Sequence, residues 1–169
     1  MLALLVTLLL CVATSAFSQW QQVANIDAGA SAKMISHGSA VFLYGFQGSI
    51  KFHRTTDNGT SWTDMSSGPV ERFNDIFSFN GMLYATYLNR VYTSANLGQN
   101  WTLLSTLTVA NGALNGLASD GTTLFVFSNR KSVFRSTNSG TTWTELLIND
   151  PNISNIIDFA ARGNRYAAV

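Results

Sequence analysis

Apolar and polar positions alternate along this chain in short runs, and the runs return on a fixed beat. "SAVFLYG", "MLYATY", "TTLFVFS" and "NRYAAV" follow or begin just after Gly38, Gly81, Gly121 and Gly163, which are spaced by 43, 40 and 42 residues. Before each of the last three glycines comes another apolar run, "FNDIFSFN", "LNGLASD" and "SNIIDFAAR". Period-two alternation bounded by turn residues predicts half-buried strands, and no stretch sustains the 3.6-residue apolar period of a helix.

A second mark keeps the same beat. "KFHRTTDNGTSWTDM", "VYTSANLGQNWTLL" and "VFRSTNSGTTWTELL" share the core Ser/Thr-x-Asp/Asn-x-Gly-x-x-Trp-Thr. It reads Thr55, Asp57, Gly59, Trp62, Thr63 in the first copy, then Ser94, Asn96, Gly98, Trp101, Thr102, then Ser136, Asn138, Gly140, Trp143, Thr144. The tryptophans are 39 and 42 residues apart. Each unit therefore predicts strand, glycine turn, strand, short loop, strand, Asp/Asn turn, strand. Four strands in about 40–45 residues is the unit of a β-propeller blade. The expected fold is all-β, a propeller of four-stranded antiparallel blades at about 31–65, 70–105 and 112–148, with an incomplete fourth at 153–169. About three and a half blades leave open edges, so the sequence reads as a fragment of a larger propeller, its ring closed by further blades or by self-association. The lone "QWQQVANI", with Trp20 placed as Trp62 is, reads as an outer strand suited to such closure.

In the shared core, a short Asp or Asn side chain accepts hydrogen bonds from backbone N–H groups a few residues on, and a Ser or Thr hydroxyl bonds locally in the same way. Glycine supplies a positive φ. The Trp offers a large apolar face to a neighbouring blade and an indole N–H for one partner. The competing reading makes Asp57, Asn96 and Asn138 ligands for calcium or sugar. Asn stands in two of the three copies, which keeps the turn and discards the charge, so the turn is the preferred reading.

Composition narrows the function classes. The 169 residues are 46% apolar and 11% charged, with net charge +1, and the ten Lys and Arg are scattered, so no nucleic-acid partner is expected. Residues 1–18 carry an apolar run from Leu2 to about Ala13 followed by small residues, which reads as a secretory signal cleaved after Ala16 or Ser18, although no Lys or Arg precedes the run. The product would be secreted or extracytoplasmic, with no stable membrane insertion. Cys11, the only cysteine, lies in that run, so the mature protein would have neither a disulfide nor a thiolate metal site. No metal and no cofactor are expected.

The three motif copies resemble the BNR or Asp-box repeat, and the resemblance covers about residues 33–148. It implies a propeller. For function it is permissive, because such repeats occur in sialidases, xyloglucan-cleaving glycosidases, sortilin-type receptors and the photosystem II assembly factor family. A sialidase implies a Phe/Tyr-Arg-Ile-Pro motif before the first Asp box. None is present, and Arg54 and Arg135 run straight into Asp boxes. No catalytic residue is assigned. Asp75 and Asp158 fall on predicted innermost strands near the channel, without spacing that makes them a carboxylate pair. His37 and His53 lack a metal-ligand partner at useful spacing.

The resemblance puts the Asp-box turns on one face and ligands on the other, where loops between second and third strands and loops leading into each blade meet. Arg72, Arg90, Arg130 and Lys131 form a modest basic rim there. Asn74, Asn115 and Asn155 recur at the starts of innermost strands, either ringing the channel mouth or, as preferred, capping those strands. The expected function is a non-catalytic module for an extracellular protein or glycan. The alternatives are a fragment of a sialidase-type glycosidase and a chaperone like the photosystem assembly factors.

Overall fold

The computed structural model describes residues 32–45, 52–66, 73–110, 112–163 and 165–169. The predicted signal at 1–18, Trp20, Cys11 and Arg72 lie outside them. Among the described residues every regular element is a strand, and the strands form three four-stranded antiparallel sheets and one two-stranded sheet.

The first blade is β1 (Ala32–His37), β2 (Ala40–Gly45), β3 (His53–Thr55) and β4 (Thr63–Asp64). The second is β5 (Asp75–Phe79), β6 (Met82–Tyr87), β7 (Arg90–Ser94) and β8 (Thr102–Thr106). The third is β9 (Leu114–Ser119), β10 (Leu124–Ser128), β11 (Ser132–Ser136) and β12 (Thr144–Leu147), and β13 (Phe159–Arg162) pairs with β14 (Arg165–Ala168). Each strand pairs with the next in sequence, so the blades are meanders. This is the propeller architecture, as an incomplete ring. Asn80 and Gly81 make the β5–β6 hairpin with φ of 48° and 74°, the left-handed pair that a two-residue hairpin favours.

The blades stack through three apolar seams. Phe42, Phe52, Phe73, Leu83, Tyr92 and Trp101 fill the first. Tyr84, Val91, Leu117, Leu124, Val126 and Phe134 fill the second, with Trp143 packed against them. Phe125, Phe127, Val133, Ile156 and Phe159 form the third. A third-strand aromatic and the motif Trp therefore enter each of the first two seams: Tyr92 with Trp101, then Phe134 with Trp143. The third seam instead carries an apolar cleft of about 340 Å³ lined by Leu146, Ile148, Phe159 and Tyr166 among others.

Polar ties cross the same seams. The Asp75 carboxylate, at the start of β5, accepts from Lys33 Nζ at 3.1 Å and Tyr44 Oη at 2.8 Å in the first blade. Its other oxygen accepts from the Leu117 N–H at 3.0 Å in the third. One innermost-strand carboxylate thus holds three blades. His37 Nδ1 lies 2.7 Å from Ser78 Oγ across the first seam.

Candidate functional site

The three Asp/Asn turns close in the same way. In the first, the Thr55 hydroxyl donates to Asp57 Oδ1 at 2.7 Å and accepts from the Gly59 N–H at 2.9 Å, while Asp57 Oδ1 accepts from the Ser61 N–H at 2.9 Å. In the second, Ser94, Asn96, Gly98 and Asn100 make the same three bonds at 3.0, 3.0 and 2.9 Å. In the third, Ser136, Asn138, Gly140 and Thr142 make them at 2.9, 2.8 and 2.9 Å. The amide oxygen of Asn occupies the role of the Asp carboxylate oxygen, so the cage needs an acceptor and not a charge. In each turn two successive residues have positive φ: Asn58 with Gly59, Leu97 with Gly98, and Ser139 with Gly140. Asp57 also accepts from the Ser61 hydroxyl at 2.6 Å, and the bonds from Ser61 and Thr55 lower its carboxyl to about 2.

The turns also grip the preceding blade. Arg54 Nη1 donates to the Leu97 carbonyl at 3.0 Å, and Tyr84 Oη donates to the Ser139 carbonyl at 3.2 Å. Gly98 lies against the first blade, where a Cβ would come within 3.0 Å of the Phe52 ring. Trp101 is 8% exposed and sits 4.7 Å from Phe73 and 6.1 Å from Phe52, ring centre to ring centre. Trp143 donates its indole N–H to Ser105 Oγ at 3.2 Å. Trp62 and Trp101 bury theirs with no acceptor among the described residues, a departure from the one-partner expectation. Thr63, Thr102 and Thr144 are exposed.

The opposite end of the blades is different. The starts of β1, β5 and β9 meet the β10–β11 loop and the segment leading into β13. Between them runs a groove of three adjoining hollows. The first, about 430 Å³, is bordered by Lys33, Asn74, Ala113, Asn115, Asn129 and Ile157. The second, about 310 Å³, shares Asn115, Asn129 and Ile157 and adds Arg130 and Asn155. The third, about 480 Å³, shares Arg130 and adds Ala110, Lys131, Leu147 and Ser154.

The side chains of the asparagines reach beyond their own strands. Asn74 Nδ2 donates to the Leu114 carbonyl at 2.6 Å, one blade on. Asn115 Nδ2 lies 3.3 Å from both the Ile156 and Ile157 carbonyls, again one blade on. They are ties between blades that also border the groove. Asn155 accepts from Arg130 Nη1 at 3.1 Å. Of the predicted rim, Arg130 and Lys131 come together in the groove wall. Arg90 is exposed at the start of β7 on the same end but is not among the residues lining these hollows.

Lys33 belongs to the groove without a mark in the sequence, whereas Asn129 lies in the Ser128–Ser132 loop between second and third strands, a loop class expected on this face. Only the register of β1 against β5 brings Lys33 there. Asp75 lies beside the groove, but its oxygens are engaged by Lys33, Tyr44 and Leu117. Burial, and then the negative charge of Asp75, pushes the Tyr44 phenol well above its usual range. Asp158 is turned to its own backbone, accepting from the Phe159 N–H at 2.8 Å. Among the described residues no cluster of His, Cys, Asp and Glu is arranged to hold a metal ion.

A meander of four-stranded sheets with aromatic seams is decided for family by sequence. The pattern of the DUF6242 beta propeller domain matches residues 17–157. The chain belongs to this family. No curated protein matches this DUF6242 propeller in sequence. Its fold is similar to that of YjhT, with 12% identity and a TM-score of 0.65 over 92% of this chain and 63% of that one. It is similar to YCF48 bound to D1 peptide, with 16% identity and a TM-score of 0.59 over 83% and 52% of the two chains. It is also similar to a chain of the nidogen/laminin complex, with 17% identity and a TM-score of 0.58 over 78% and 51%. The DUF6242 propeller thus spans about half the length of the latter two, and likeness at these identities is likeness of fold.

Proposed function

We propose that this propeller is a non-catalytic binding module, exported from the cytoplasm by residues 1–18, that takes a polypeptide partner in the groove on the face away from its Asp/Asn turns. In this reading the turns are Asp boxes and serve as scaffold. The observation that carries it is the continuity of the groove. Side-chain amides, two cations and apolar walls from Ala110, Leu147 and Ile157 line three hollows, each sharing a wall residue with the next. Amides and apolar patches side by side suit a polypeptide, which alternates backbone hydrogen-bonding groups with side chains. YCF48, similar in fold, is bound to a D1 peptide, and nidogen is in a complex with laminin, which supports a polypeptide over a glycan.

The test is selection of a displayed random decapeptide library, with a glycan array in parallel, on the full-length protein and on two variants that fill the groove, Ala110→Trp and Ile157→Trp. Both positions are exposed, and thermal unfolding of the variants serves as the folding control. The reading expects peptides enriched by the wild type and lost on both variants. No enrichment, enrichment indifferent to both substitutions, or signal from glycans alone would overturn it.

A further inference from the structure

One loop of the groove is built differently from its counterpart in the neighbouring blade. Between β6 and β7 the backbone turns in two residues, Leu88 and Asn89. Between β10 and β11 it takes three, Asn129, Arg130 and Lys131. This longer loop is pinned at every step. The fully buried Ser128 hydroxyl accepts from the Arg130 N–H at 3.1 Å and the Ser132 N–H at 3.2 Å. That is the i+2, i+4 pattern with which Thr55, Ser94 and Ser136 pin the turns on the opposite face. Asn129 exchanges two bonds with Ala113: its N–H donates to the Ala113 carbonyl and its Oδ1 accepts from the Ala113 N–H, both at 2.9 Å. Gly112 lets the two segments close up, since a Cβ there would come within 2.6 Å of both Arg130 Cγ and Asn129 Oδ1.

The loop therefore presents two cations from a rigid base. The guanidinium of Arg130 is oriented by Asn155 Oδ1 at 3.1 Å, and the Lys131 ammonium is drawn to the Asp150 carbonyl at 3.0 Å. Asp150, whose carbonyl holds Lys131, turns its carboxylate to the Asn152 N–H at 2.8 Å. Asp75, beside the far end of the groove, is engaged by Lys33, Tyr44 and Leu117. A planar guanidinium fork held in place and a neighbouring ammonium form a receptor for a carboxylate.

We infer that the Ser128-pinned loop Asn129–Lys131 is a carboxylate-recognition element, which selects partners with an Asp or Glu side chain, or a free α-carboxylate at the partner's end, seated at Arg130 and Lys131. The inference rests on the polypeptide reading above and names the chemistry it selects. Asn115 and Asn129 then face the backbone of the bound segment, and Ile157 and Leu147 its apolar side chains.

The test uses two decapeptide pools of identical random flanks, one with central Glu and one with central Gln, each with an amidated or a free C-terminus. Binding to the full-length protein is read by fluorescence anisotropy at fixed salt. The expected result is about tenfold tighter binding of the Glu pool, or of free C-termini, by the wild type. That preference should fall below about twofold in Arg130→Ala/Lys131→Ala and be intermediate in Arg130→Lys, which keeps the charge and loses the fork. Thermal unfolding of the variants serves as the folding control. Equal binding of all pools overturns the carboxylate inference and leaves the polypeptide reading standing. Binding of no pool overturns both. A preference that survives in the double variant places carboxylate recognition elsewhere and overturns the inference.

Discussion

The phenol of Tyr44 donates to the carboxylate of Asp75 at 2.8 Å across the boundary between the first and second blades. The donor is buried and the acceptor also holds Lys33 and Leu117, so the pair sits where three blades meet. Tyr44→Phe removes one donor from a charged acceptor and should cost about 1.5–3 kcal/mol by chemical unfolding. Asp75→Ala should cost more, because it leaves the Leu117 N–H unpaired and leaves the Tyr44 hydroxyl only its longer bond, to the Ile76 carbonyl at 3.3 Å. A negligible effect of both would remove Asp75 from the account of blade stacking.

The same pair sets an alkaline limit. Burial first, and the Asp75 charge second, raise the Tyr44 phenol above its unfolded value of about 10. A raised folded value means that the native state keeps a proton the unfolded state releases. The stability is complete below about pH 10 and declines as pH rises above it. Denaturation midpoints across the alkaline range should show this decline in the wild type and a shallower one in Tyr44→Phe.

At the acid end one sensitive group is Asp57, whose carboxyl is held at about 2 by Ser61 and Thr55. Its folded value lies below its unfolded one, near 3.9. The associated stability is present above about pH 4 and is lost as pH falls toward 2. Asn96 and Asn138 carry no charge, so the second and third turns are indifferent to this. An NMR titration of the Asp57 carboxyl carbon should show a midpoint near 2 in the wild type, moved up toward the usual carboxylate range by Ser61→Ala. Asp57→Asn should fold with the acid dependence of this turn abolished.

Trp101 seals the first seam against Phe52 and Phe73. Trp101→Ala truncates a buried aromatic and should cost about 3–5 kcal/mol, which corresponds to a fall in Tm on the order of 10 °C in a protein of this length. Trp101→Phe should lose less than half as much, because it keeps a ring in the seam and removes an indole N–H that has no acceptor among the described residues. Thermal melts of the two variants check the order.

What the sequence reveals and what it hides follow the reach of each interaction. The turns at 55–63, 94–102 and 136–144 are readable because their bonds connect residues two and four apart, so type and spacing carry the geometry. The strand order follows from alternation and from hairpins that pair neighbours. Asp75 is opaque by the same logic, since its partners stand 42, 31 and 42 residues away and depend on the stagger between blades. Asn74 and Asn115 look like caps in sequence, yet their amides reach carbonyls one blade on. In the basic rim, Arg130 and Lys131 are adjacent in sequence and remain so in space. Arg90, a blade earlier, starts a strand after a two-residue turn and stays outside the groove.

The Asp/Asn turns are scaffold, and the proposed recognition groove lies at the opposite end of the blades, where Asn74, Asp75 and Asn115 also tie them together. The most direct measurement pairs the Tm with the affinity, per folded molecule, for one groove-selected decapeptide in two variants, Trp101→Phe and Arg130→Ala/Lys131→Ala. Trp101→Phe should lower the Tm and leave the affinity unchanged, and Arg130→Ala/Lys131→Ala should leave the Tm unchanged and lower the affinity about tenfold or more. An affinity loss in Trp101→Phe together with full affinity in the rim variant would contradict this assignment.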